Sequence, residues 1–381
     1  MFRSFVLGGF ECATGYNARG EWIDQIAATH HDQHADADYR RLREVGIHAA
    51  REAIRWPMVD LGDGRYDFSS VEPFIAAAQR HGIEVIWDLF HYGYPPGLDL
   101  FGDALAPRFA DYCRAVARFV RTRSGATRHF FTPINEPSFF AWAAAEVARF
   151  APHQRGRAFE LKVALARAAI RGIEAIRGEL PHARIVNVDP LCHVALPHDR
   201  PDLREAVQHF NDRAVWESWD MLAGRLLPEL GGSRAHLDIV GVNYYWTNQW
   251  EFGRDECPLD DDDPRRRPLS ELITTVHARY GGDILLTETA HVDDLRPAWL
   301  SYVVEETKRL LRQGVPLRGI CLYPILGMPE WHAPETWVKM GLWDLRPCAA
   351  NGLSREICTP MLPALKEALR LWETQAEKKS A

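Results

Sequence analysis

Short apolar runs that suit β-strands alternate with segments of helical period along this whole sequence, and that alternation restricts the chain to the α/β class. Strand-like runs fall at residues 4–10, 48–56, 83–90, 128–134, 183–189, 237–245, 283–288 and 317–324. Helical patterns lie between and after them, at 32–45, 71–80, 107–122, 158–177, 203–222, 268–280, 297–312 and 359–374. Eight such units in 381 residues predict a single (β/α)8 TIM barrel spanning 1–381. With 46% hydrophobic and 25% charged residues, the chain can fill a core of that size. An open doubly wound sheet is the competing α/β architecture. It fits less well, because Gly8-Gly9 after the first strand lacks the G-x-G-x-x-G phosphate loop.

In such a barrel, chemistry sits where the strands end on the C-terminal face. The fourth run, aromatic and apolar, stops at Pro137 and sets Asn135 and Glu136 at the mouth. A carboxyl half enclosed by aromatics has its ionised form disfavoured, which makes it a candidate proton donor near neutral pH. The same Asn-Glu-Pro also reads as the start of a helix.

The other polar strand ends test the choice. They are Arg51 in the second strand, His91 after the third, Asn243 and Tyr245 on the sixth, Glu288 after the seventh, and Glu330 with Trp331 beyond the eighth. Period-two alternation puts Asn243 and Tyr245 on one face, with Tyr244 facing inward instead if the strand carries a bulge. Arg51 reads either as a partner for these carboxylates or as a structural ion pair. Glu136 and Glu288 end strands across a narrow mouth, and two carboxyls facing one substrate are the equipment for cleaving a glycosidic bond.

On these residues the chain resembles family 1 of the glycoside hydrolases, or a close relative in the clan of (β/α)8 retaining glycosidases. Asn135-Glu136-Pro137 is similar to the family's acid/base motif, and Leu286-Thr287-Glu288 to its nucleophile motif. Arg51 and Trp56 resemble the second-strand Arg-x-x-x-x-Trp, Leu89-Phe90-His91 the third-strand sugar-contacting segment, and Gly241 to Tyr245 the sixth-strand segment. Glu330-Trp331, followed by Gly341-Leu342, resembles the sugar-binding loop after the eighth strand.

The resemblance implies a retaining β-glycosidase acting by double displacement on a small glycoside. Glu288 is then the nucleophile, supported by Arg51 and Tyr245, and Glu136 the acid/base. His91, Asn135, Asn243, Glu330 and Trp331 bind the sugar, and no cofactor is called for. The departures are local: Pro133 stands where the family has threonine, Thr289-Ala290 follows the nucleophile in place of Asn-Gly, and Glu11 lies near the position of a sugar-binding glutamine. Trp331 in place of serine, and Val338 in place of a basic residue, favour an unphosphorylated sugar.

Other function classes fit less well. A net charge of −7 supplies no basic surface for nucleic acid or anionic membrane, so neither is expected as a partner. Seven scattered cysteines without C-x-x-C spacing read as reduced thiols and a cytoplasmic protein. Glu11 interrupts the apolar N-terminus too early for a signal-peptide core. His30 and His34 have the i, i+4 spacing of metal ligands, yet a helix start with Asp32 as its cap and solvated histidines is the simpler reading, so no metal site is expected. The acidic and basic runs within 255–267 read as a solvated loop. The alternative from another class is a catalytically silent carbohydrate-binding or regulatory protein on a glycosidase scaffold.

Overall fold

A computed structural model describes residues 2–254, 257–348 and 352–380. Eight parallel strands close into a barrel: β1 (Val6–Gly9), β2 (Ala49–Ala53), β3 (Glu84–Asp88), β4 (Phe130–Thr132), β5 (Arg184–Pro190), β6 (Ile239–Asn243), β7 (Asp283–Thr289) and β8 (Leu317–Leu322). Each pairs with its sequence neighbours, and β1 closes the ring on β8. The (β/α)8 expectation holds, with most helices within two or three residues of their predicted ends. No helix among the described residues is long and apolar enough to cross a membrane.

Period-two alternation sorts the side chains. Leu7, Ala49, Ile86, Phe130, Val186, Ile239, Leu285 and Cys321, one from each strand, form the cluster inside the barrel. Counting two residues onward from these places Gly9, Arg51, Asp88 and Thr132 at the mouth, and counting four onward from Ile239 places Asn243 there. Their neighbours on the other face, such as Val85, Val240 and Leu286, join the clusters under the helices. Gly9 has a steric reason: a Cβ there falls 2.1 Å from the ring of Tyr323, whose hydroxyl accepts from Cys12 N.

Three expectations change. The helix predicted over 203–222 is split into Arg204–Asp212, a 3-10 turn at Ala214–Trp216, and Glu217–Leu222. Trp216 Nε1 donates to Asn211 O, and the break lets Trp216 and Trp219 pack on Tyr280. The loop at 255–267 is only partly solvated: Asp255 and Glu256 lie outside the described residues, Arg265 pairs with Asp263 and Glu251, and Arg266 donates to the carbonyls of Leu259 and Trp246.

The third concerns the histidines. The helix His31–Glu44 is capped by His30 in the left-handed region and not by the Asp32 side chain, and His31 is buried rather than solvated. Its ring stacks between Phe10 and Phe74, Nδ1 meets Asp38 at 2.9 Å and Nε2 meets Glu52 at 2.8 Å. Burial opposes the charge on His31, but the Glu52 carboxylate and the bonds to Asp38 and Glu52 outweigh it, and its pKa is pushed up to about 9. The folded state therefore holds a proton that the unfolded chain releases near pH 6.5. This contribution is complete below pH 6.5 and is lost as the pH rises through about 9. Thermal unfolding between pH 6 and 10 is expected to show a loss of about 3 kcal/mol from this group. A His31→Gln variant should be less stable at pH 6 and show a flatter dependence; an unchanged slope contradicts the assignment.

Candidate active site

Glu136 occupies both places that its sequence allows. The strand β4 stops at Thr132, and Pro133 follows where the ladder is already interrupted, so its missing N–H removes no ladder bond. Pairing resumes at Asn135, whose N donates to Phe90 O, and at Glu136, whose N donates to Val188 O. Glu136 then takes φ 44° and caps the helix Pro137–Ala145, with Pro137 in the first turn, where its lack of an N–H costs nothing. Asp189 at the end of β5 satisfies that turn, accepting from Ser138 N at 3.0 Å and Ser138 Oγ at 2.6 Å.

The Glu136 carboxyl is held at both oxygens. Asn243 Nδ2 donates to Oε1 at 2.8 Å and the Tyr92 hydroxyl to Oε2 at 2.9 Å. Asn243 is itself oriented by Thr287 Oγ1, which donates to its Oδ1 at 2.6 Å. Burial, and then the charge of Glu288, push the Glu136 pKa well above the ordinary carboxylate range despite these two donors. Both effects favour the protonated form of the carboxyl.

Glu288 owes its direction to an irregularity. Leu285 faces the barrel interior and Leu286 the helices, so strict alternation turns Glu288 outward. The register of β7 shifts against β6 between Val242 and Asn243, and against β8 between Leu286 and Thr289. Such shifts re-aim side chains, and Glu288 reaches the mouth. Its Oε1 accepts from Arg51 at 2.5 Å and its Oε2 from the Tyr245 hydroxyl at 2.7 Å. Tyr244 packs away from the site on Trp299, its hydroxyl accepting from Gln249.

Arg51, fully buried, joins the two halves. It donates to Glu288, to Asp88, and to Asn135 Oδ1 at 2.6 Å. With its Oδ1 so engaged, Asn135 presents Nδ2 to His91 Nε2 at 3.0 Å, so Nε2 accepts and His91 Nδ1 donates to Asp88 at 3.1 Å. Burial raises the Asp88 pKa, but Arg51 and His91 outweigh it and leave the group below its ordinary value.

Around this centre the other expected residues separate. Glu11 lies inside, its Oε1 accepting from Ala13 N at 2.9 Å and standing 3.6 Å from His91 Nε2. Burial foremost, with Glu288 adding to it, raises its pKa to about 7. Trp331 closes one wall against Tyr92, Phe139 and Phe150, and its buried Nε1 has no hydrogen-bond partner among the described residues. Glu330 is tied to its own loop by His332 N and makes no hydrogen bond to Glu136 or Glu288 among the described residues. Trp246 stacks on His291 beside Tyr245, at the rim.

Cys12, Asp88 and His91 bring three possible ligand atoms within 4.8 Å of one another. Their bonding is already assigned, however. Asp88 accepts from Arg51 and His91, and the Cys12 thiol donates to Phe10 O and has its pKa pushed far up by burial. The set fits a hydrogen-bond network better than a metal.

Sequence reading missed Asp88, Tyr92, Thr287 and Asp189. Asp88 had a signal, an acid inside the Val85–Phe90 part of the strand run, which is otherwise apolar. The other three work through partners 44 to 51 residues away, which no local pattern displays.

The model of the family described as glycosyl hydrolase family 1 matches residues 10–219. Among solved structures, the fold is similar to that of β-glucosidase from Thermotoga maritima in complex with glucoimidazole, with a TM-score of 0.74 and 17% identity over 96% of this chain and 97% of that one. The same enzyme in complex with deoxynojirimycin gives 0.74 and 17%, covering 97% and 99%. Its castanospermine complex gives 0.72 and 18%, covering 96% of each chain.

Proposed function

Because this chain belongs to glycosyl hydrolase family 1, whose model matches more than half of it, we propose that it cleaves a β-O-glycosidic bond with retention of configuration, through a covalent glycosyl-enzyme. The chain is a glycoside hydrolase; the mechanism and the residue roles are our reading. What carries it is the asymmetry of the two carboxyls. Glu288 is met by a guanidinium and a phenol, and Glu136 is buried beside that charge, which favours its protonated form.

In the first step Glu288 attacks the anomeric carbon, the bond to the aglycone oxygen breaks, and Glu136 gives that oxygen its proton. In the second, Glu136 takes a proton from water, whose oxygen displaces Glu288 and restores the original configuration. Retention by this route requires carboxyls roughly 5–5.5 Å apart. Asn135, Asn243 and His91, with Glu11 beside them, bind the glycone hydroxyls, while Trp331 and the more distant Glu330 close the pocket. Trp331, and Val338 in the hairpin it shares with Met328, support an unphosphorylated sugar. Seven thiols with no disulfide support a reducing, cytoplasmic setting.

A panel of aryl β-glycosides tests the reading. Wild type should release the phenol and Glu288→Gly should not. Glycan binding by the wild type with no turnover of any member favours the catalytically silent alternative. The proton assignment has its own test: removing the Glu288 charge in Glu288→Gln should lower the Glu136 pKa, read by infrared titration of the protonated carboxyl. An unchanged titration contradicts the coupling.

A further inference from the structure

We propose that Tyr92 is a positioning residue for the acid/base carboxyl, holding Glu136 Oε2 and receiving the negative charge that appears there as the proton leaves. This rests on the assignment of Glu136 above and extends it to a residue outside the motifs.

Four observations support it. The Tyr92 hydroxyl donates to Glu136 Oε2 at 2.9 Å and lies 3.3 Å from Asn135 Nδ2, so it has an acceptor and a donor and its hydrogen has one direction to point. The ring is fixed on four sides, stacked on Phe140 at 5.5 Å and packed against Phe139, Phe150 and Trp331. The backbone is held in a conformation that a tyrosine rarely adopts, φ 71°, and Glu136 across the gap is at φ 44°. Gly93 locks the turn after Tyr92, since a Cβ there falls 2.1 Å from Thr14 Oγ1. Strain held at both ends of one hydrogen bond, on adjacent strand ends, marks a geometry kept for what it positions.

The chemistry follows from the difference between the two protonation states. A phenol donating to a neutral carboxyl makes an ordinary hydrogen bond. Once Glu136 has passed its proton to the departing oxygen, the same contact becomes a charge-assisted bond to a carboxylate, and Asn243 supplies a second at Oε1. The bond is therefore stronger in the transition state than in the ground state, which lowers the barrier to protonating the leaving group. Tyr92 itself stays protonated, because burial, and then the nearby Glu136 carboxyl, push its pKa far up. The other titratable groups facing this pair are Glu288, Glu11 and His91 on the pocket side and Asp189 and Cys192 behind Glu136.

The test is Tyr92→Phe, which keeps the ring and its packing and removes only the hydroxyl. For a phenyl β-glycoside, whose oxygen needs the proton, kcat/KM should fall about 10- to 100-fold. For a 2,4-dinitrophenyl β-glycoside, which leaves without one, it should change by less than about 3-fold. The Glu136 titration, followed by infrared difference spectroscopy in wild type and variant, should move to higher pH, since a donor to the carboxylate is gone. Equal losses on both substrates, or an unmoved titration, overturn the proposal. If wild type cleaves neither glycoside, the glycosidase reading fails and this proposal with it; if wild type cleaves both and the variant fails either test, this proposal alone fails.

Discussion

Replacing Glu288 by glycine is expected to lower turnover of an aryl β-glycoside by at least about 10^4-fold, the scale of losing a catalytic nucleophile. Added azide should restore part of the rate, because the deletion opens space where the carboxylate stood. The product then identifies the residue. Azide entering from the side of Glu288 inverts the anomeric centre once and gives an α-glycosyl azide. In Glu136→Ala, azide instead attacks the glycosyl-enzyme and gives the β-azide after two inversions, with the loss largest for poor leaving groups. A β-azide from the Glu288 variant contradicts the assignment of the two carboxyls.

Arg51→Met carries the next largest effect, and on two properties at once. Arg51 meets Glu288, Asp88 and Asn135 through two terminal nitrogens at zero exposure. Its removal leaves two buried carboxylates without their cation, which costs about 3–5 kcal/mol. For a chain of this length that corresponds to roughly 4–6 °C in Tm. Activity should fall further than stability explains, because Asn135 and Glu288 lose their common anchor. Arg51→Lys is expected to recover little, since one ammonium cannot reproduce the fork that spans three acceptors. Differential scanning calorimetry with kcat/KM on the folded variants checks both; an Arg51→Lys variant of wild-type activity contradicts the anchoring role.

The barrel was legible because both of its periods are local. Short apolar runs of six to nine residues marked each strand, and a count of two put Asn243 and Tyr245 on one face. Glu288 points inward for a reason that counting alone does not provide: β7 shifts register against both neighbours, and strict alternation aims Glu288 at the helices. Its placement came from the motif and not from periodicity. Pro133 and Glu136 illustrate the opposite case. The strand-end and helix-start readings of one tripeptide compete in sequence, yet Glu136 ends the strand segment and caps the helix.

His31 was misread because its partners are not in its helix alone. Asp38 lies seven residues on, but Glu52 comes from β2, and the ring is sandwiched by Phe10 and Phe74 from separate elements. Tertiary contact turned a polar helix start into a buried ion network. The same holds for Asp189 and Thr287, whose contributions to the turn under Glu136 and to the orientation of Asn243 exist only once strands four to seven stand side by side.

The central claim is double displacement at Glu288, and the stereochemistry of the first product tests it most directly. Proton NMR of an aryl β-glycoside digest, recorded before mutarotation, should show the β-anomer of the free sugar appearing first, with the α-anomer growing in later. An α-anomer at the earliest time points means a single displacement by water, and contradicts the account.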